Sequence, residues 1–148
     1  MTASIQHVAL AVPDPARSAA FYQAALAPLD AISRPALYTS DQGERPWVVA
    51  VGHSLSLMFH PTDTPAEPVD RYRTGSVHHF GIHVEAASLV DRVAAAAVAA
   101  GGRTTDGPRT FPEYRFGYYG AFLRDPDDLK WEVFCYTDLV SSSPDSPA

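Results

Sequence analysis

The chain has one cysteine, Cys135, among 148 residues. An intrachain disulfide is excluded, and so is a zinc site built from several thiolates. Bases are also scarce, 11 against 17 acids, for a formal net charge of -6. Without a basic cluster, nucleic acid is not an expected partner. No GxGxxG or GxxxxGK run occurs, which argues against a parallel-sheet nucleotide fold. Long apolar runs are missing as well. The longest low-polarity stretch, Val93–Gly102, is too short and too rich in alanine to cross a membrane. The first residues, MTASIQHV, lack a basic region followed by an apolar run, so no signal peptide is expected. A cytoplasmic location fits these absences.

What is present is a globular composition, 46% hydrophobic and 19% charged. A chain of this length can bury roughly two thirds of its unfolded surface. Two stretches organise it. Ile5–Val12 reads IQHVALAV and Val77–Val84 reads VHHFGIHV. Both alternate, as half-buried strands do. Val8, Leu10 and Val12 share one face, with His7, Ala9 and Ala11 on the other. Phe80, Ile82 and Val84 match them in the second stretch, opposite His79, Gly81 and His83.

Each stretch is followed by an alanine-rich helical pattern. The first spans 16–26, with Asp14 and Pro15 as start signals, and carries Ala19 or Ala20, Phe21 or Tyr22, Ala25 and Leu26 on its inner stripe. The second spans 85–100, with Leu89, Val93, Ala97 and Ala96 or Ala100 facing inward. A weak strand over 29–39 is interrupted by Pro35, and strands follow at 46–51 and 55–59. The segment 103–114 is polar and turn-rich, and strands at 116–123 and 129–136 close the chain. The order is thus β-α-β-β-β twice. The expected fold class is α+β: two tandem βαβββ modules, 5–60 and 77–136, joined by a linker over 61–76, within one domain over 1–140. They should form a curled mixed sheet with a concave cleft. The tail 141–148 is expected to be disordered.

The apolar positions decide which face meets the helix, so His7 and His79 point to the opposite, concave side. The last strand places Trp131, Val133 and Cys135 on its apolar face and Lys130, Glu132 and Phe134 on the other. Two imidazoles and one carboxylate make a facial set for a divalent metal such as Zn, Fe, Mn or Ni. The simpler reading leaves His7 and His79 as polar pocket residues and Glu132 as a partner of Lys130 or Arg124.

Here the sequence resembles the glyoxalase, bleomycin-resistance protein and extradiol dioxygenase superfamily, also called vicinal oxygen chelate proteins. The matching pieces are His7 in IQHVALAV, FYQAAL at 21–26, His79 in HHFGIHV and DPDDLKWEVF at 125–134. The resemblance implies paired βαβββ modules, often a dimer, and metal ligation by His7, His79 and Glu132. Two departures stand out. Aligning LSLMFH with the last strand sets Ser56 opposite Glu132, where glyoxalase I carries a fourth ligand. Serine is a poor one, which argues against glyoxalase I activity on glutathione hemithioacetals. The turn is DPDD, with Asp128 at a position that glycine suits best.

Other candidates surround this set. His83 is a candidate base. Tyr118 and Tyr119 offer hydroxyls, and alternation lets only one of them face the site; packing with the hydroxyl at a rim is the plainer role. Ser56, Met58, His60, Phe134 and Arg115 are candidate substrate contacts, with Trp47 as apolar wall. Arg71, Arg73, Arg109 and Arg115 suit an anionic substrate or plain surface charge. Two functions remain open. One is a metal-dependent lyase, isomerase or extradiol dioxygenase whose small organic substrate chelates the metal through neighbouring oxygens. The other is a non-catalytic ligand-binding protein of the bleomycin-resistance type. A homodimer is expected with either, and no membrane partner.

Overall fold

The computed structural model describes residues 3–30, 32–39 and 43–138; the tail 141–148 lies outside them. The first module holds β1 (His7–Val12), α1 (Pro15–Leu26), β2 (Ala36–Leu37), β3 (Trp47–Val51) and β4 (Leu55–Pro61). The second holds β5 (Phe80–His83), α2 (Ala87–Ala99), β6 (Arg103–Thr110), β7 (Tyr118–Arg124) and β8 (Lys130–Tyr136). Helix α1 starts where its signals place it. The Asp14 carboxylate accepts from the Arg17 amide at 3.0 Å and Pro15 occupies the first turn, where its missing N–H costs nothing. Helix α2 has no side-chain cap, and its buried stripe is Val90, Val93, Ala94 and Ala97. The stripe is thus turned slightly from the expected one, and Leu89 packs at its margin. The polar segment after it forms a strand after all. β6 is an edge strand, largely exposed, and its register slips between Thr104 and Asp106 and again before Arg109. Such irregularities erase the period of two that reveals a strand. Around Pro35, only Ala36–Leu37 pairs as β2, with a lone bridge from Ile32 to Val51.

The expected curled mixed sheet with its concave cleft does not form. Two separate open sheets take its place, ordered β1-β4-β3-β2 and β5-β8-β7-β6. Both are mixed: β1 runs parallel to β4 and β5 parallel to β8, with antiparallel pairs elsewhere. Alternation tells which face of a strand meets its helix, but says nothing about whether one module's edge joins the next. Here the ladders stop at β1 and at β5, so the described residues leave each sheet with two edges. The segment Val77–His79, expected to extend β5, is not strand.

A continuous core joins the modules. Helix α1 packs on the first sheet and against α2, and its Tyr22 is fully buried. The Tyr22 ring stacks on Phe59 of the first sheet at 5.3 Å and meets Phe80 and Trp131 of the second at 5.9 and 5.5 Å. Burying a side chain of this kind stabilises by about 1.5–3 kcal/mol. A polar clasp reinforces the join. The Tyr22 hydroxyl donates to Asp125 Oδ2 at 2.9 Å, and the amides of Asp127 and Leu129 donate to Asp125 Oδ1. Arg17 pairs with Asp127 in the same turn. Asp128 follows with φ +66, a conformation that aspartate tolerates better than most residues. No helix among the described residues is long and apolar enough to cross a membrane.

Candidate functional site

The face of the second sheet turned away from the helices carries the densest chemistry. Strand register puts Gly81 beside Glu132 and Glu132 beside Phe122. The Glu132 side chain lies over the bare Gly81 backbone. A Cβ there would meet Glu132 Oε1 and Phe134 Cε1 at 3.0 Å each. Tyr118 comes from the next strand and donates to Glu132 Oε2 at 2.6 Å. Burial first, then this bond and the carboxylate's charge, push the Tyr118 hydroxyl far above its ordinary range. It is therefore a fixed neutral donor.

His79, at the mouth of β5, brings Nε2 to 3.6 Å from Glu132 Oε1. Burial is the main cause that lowers its pKa, and Lys130 adds to it against the opposing pull of Glu132. The imidazole is thus neutral at pH 7 and free to offer a lone pair. Its Nδ1 lies 2.7 Å from Nδ1 of His78, so one ring donates to the other. Aromatic rings surround the group. Tyr118 stacks on Phe134 at 4.9 Å, His83 lies 5.4 Å from both Phe134 and Tyr136, and Phe122 edges His79 at 6.5 Å. Arg115 lies over Tyr136 at 4.1 Å and pairs with Asp138.

The remaining candidates lie elsewhere. His7 is exposed on the first sheet, bonded through Nδ1 to Gln6 at 2.7 Å. It pairs in register with Ser56, while Met58 and His60 follow beside Ala9 and Ala11. Tyr119 points to the helix side, where its hydroxyl donates to Asp91 at 2.7 Å and is pushed up to about 12, chiefly by that bond. Among the described residues, no three His, Cys, Asp or Glu side chains are grouped to hold a metal ion. One chain thus presents two donors of a metal set, His79 and Glu132. That is one fewer than the three protein ligands of a typical catalytic site. A cavity of about 640 Å³ beside β1, lined by Ala9, Ala11, Val69, Arg73 and Val77, takes in Arg73 but is not lined by His7, His79 or Glu132.

Two parts of the site went unread in the sequence. Gly81 is placed by the sequence only on the face of His79, yet its lack of a side chain is what seats the carboxylate. Lys130 was visible on the face of Glu132, but its place above Phe122, 4.7 Å from the ring centre, depends on register that no local pattern carries.

Comparison with known proteins agrees with this fold. Residues 4–133 match the Glyoxalase/Bleomycin resistance protein/Dioxygenase superfamily, and the chain belongs to it. A glyoxalase/bleomycin resistance protein from Albidiferax ferrireducens T118 is 25% identical, with a TM-score of 0.65 over 88% of this chain and 96% of that one. A glyoxylase/bleomycin resistance protein/dioxygenase domain from Frankia sp. EAN1pec superposes with a TM-score of 0.71 at 19% identity, over 92% and 93%. The oxidase ChaP-H1 gives 0.60 at 19% identity, over 90% and 96%. The last two speak to fold alone. The chain matches none of the curated proteins.

Proposed function

We propose that the chain is a divalent-metal-dependent enzyme, working as a cytoplasmic homodimer on a small organic molecule that meets the metal through neighbouring oxygens. His79 and Glu132 of one copy and His7 of a second copy would hold the ion, for which Fe, Mn, Zn and Ni are all suited. The observation that carries this reading is the 3.6 Å approach of a neutral His79 to the Glu132 carboxylate. Such an ion, when bound, polarises substrate oxygens. Lyase, isomerase and extradiol ring-cleaving chemistry would each draw on a substrate held through two oxygens in this way.

The chain's own residues divide the remaining work. Tyr118 holds Glu132 by donating to Oε2, which leaves Oε1 toward His79. Phe134 and Phe122 make the apolar walls. His83, exposed beside Phe134 and Tyr136, is the base that takes a substrate proton. Arg115 marks the outer rim. Ser56, Met58 and His60 share the first sheet with His7 and line the side that the second copy brings. Tyr119, turned to the helices, is left out.

The test is metal content after anaerobic loading with Fe(II), Mn, Ni and Zn. About one ion per chain is expected, absent from Glu132→Gln and from His7→Ala. One observation favours a second reading, a ligand-binding protein without metal: among the described residues no three His, Cys, Asp or Glu side chains group to hold an ion. If no ion stays bound and cationic aromatic compounds raise the melting temperature, that reading replaces the first.

A further inference from the structure

The row of the second sheet next to Glu132 is basic. Register sets Arg103 beside Arg124 and Arg124 beside Lys130. Arg124 and Lys130 share the face of Phe122 and Glu132, because alternate residues of a strand point the same way. Arg71 reaches in from the connection between modules. Its Nη2 donates to the Asp128 carbonyl at 3.1 Å and to Asp128 Oδ2 at 3.2 Å. Arg103 pairs with Asp128 Oδ1, and Arg124 Nε stands 3.8 Å from that same oxygen. Three guanidinium groups therefore share one carboxylate. The acids nearby are engaged elsewhere: Asp127 with Arg17, Asp106 with Arg109, and Asp125 with Tyr22 and two amides.

The cluster is short of acceptors. Nε of Arg71 and both Nε and Nη1 of Arg124 are buried without a hydrogen-bond partner among the described residues. Burial first, then the neighbouring Arg71, depress the Arg124 pKa against the opposing pull of Asp128. A clamp on the turn would need one arginine, not three. Asp128 is half exposed, its side chain 52% accessible, and so is able to leave.

We propose that this row is an oxyanion subsite of the ligand site, and that the Asp128 carboxylate occupies the place of a carboxylate or phosphate on the small molecule. Guanidinium forks fit both groups. Lys130, the member of the row on β8, stands two residues, roughly 7 Å, from Glu132 along the strand, so the row begins beside the Glu132 end. The proposal relies on the preceding reading only for what happens at the Glu132 end.

The test titrates the chelator-treated chain of 148 residues with inorganic phosphate and with malonate, chloride holding the ionic strength constant. Saturable binding is expected, and the tighter of the two probes names the group. Arg124→Gln and the exposed Arg103→Gln should each weaken it by roughly tenfold. Asp128→Asn, which keeps the turn's conformation and removes the competing charge, should tighten it several-fold. Glu132→Gln should still bind phosphate or malonate while losing metal, so failure at one end is separable from failure at the other. The absence of saturable binding in both wild type and Asp128→Asn, or binding unchanged in both arginine variants, overturns the subsite.

Discussion

At the scale of single residues, the site turns on what holds the Glu132 carboxylate still. Gly81 beneath it and Tyr118 beside it do so by contact and by a 2.6 Å hydrogen bond. Residues that orient a metal ligand typically contribute ten- to a hundredfold to metal affinity. Under the proposed role of Glu132 as a ligand, Tyr118→Phe is expected to weaken metal binding by about that factor, measured by titration of the chelator-stripped protein. Gly81→Ala should do the same, because the added methyl displaces the carboxylate. Tyr119→Phe, which loses only its bond to Asp91, should leave metal affinity unchanged. Equal losses in Tyr118→Phe and Tyr119→Phe would show that neither acts through Glu132. Alternation alone separated the two tyrosines and put His79, Gly81 and Glu132 on one face. It could not name Tyr118 as the carboxylate's partner, since that bond depends on how β7 lies against β8.

At the scale of elements, the clasp between α1 and the β7–β8 turn is the feature to test. Tyr22→Phe strips one donor from the buried Asp125. A loss of about 1–3 kcal/mol is expected, with a fall of roughly 2–4 °C in melting temperature per kcal/mol. The Asp125 carboxyl is raised above its ordinary 3.8, chiefly by burial and against the lowering hydrogen bonds from Leu129 and Tyr22. Its folded pKa therefore exceeds its unfolded one. Within that window the folded chain keeps a proton that the unfolded chain has released, so this group's contribution declines as pH rises through it. Asp125→Asn does not titrate. Its melting temperature relative to wild type should rise as pH climbs from about 3.5 to about 7, and a flat difference would refute the shift. Elements with strong local chemistry were readable: α1 from Asp14 and Pro15, β8 from the buried Trp131, Val133 and Cys135. The twice-slipped β6 and the two-residue β2 carry no such pattern.

At the scale of the whole molecule, the βαβββ repeat and the inward faces of its strands were legible, and the way the repeats join was not. That join is a matter of ladder edges and of α1 crossing to the second sheet, both non-local. The two open sheets put His7 on one and the His79–Glu132 pair on the other. If two copies share the site, His7→Ala and Glu132→Ala should complement each other. Mixed and re-equilibrated, half the dimers carry both variants and one intact site, so metal uptake should recover to about a quarter of wild type. A site confined to one chain would recover nothing.

Tyr22 wedged among Phe59, Phe80 and Trp131 means that the duplicated halves have given up their independence. Severing the polypeptide between Thr62 and Ser76 should yield two fragments that co-elute as one particle, because each supplies rings that would otherwise lie bare to water. Either fragment made alone should stay insoluble until its counterpart is added.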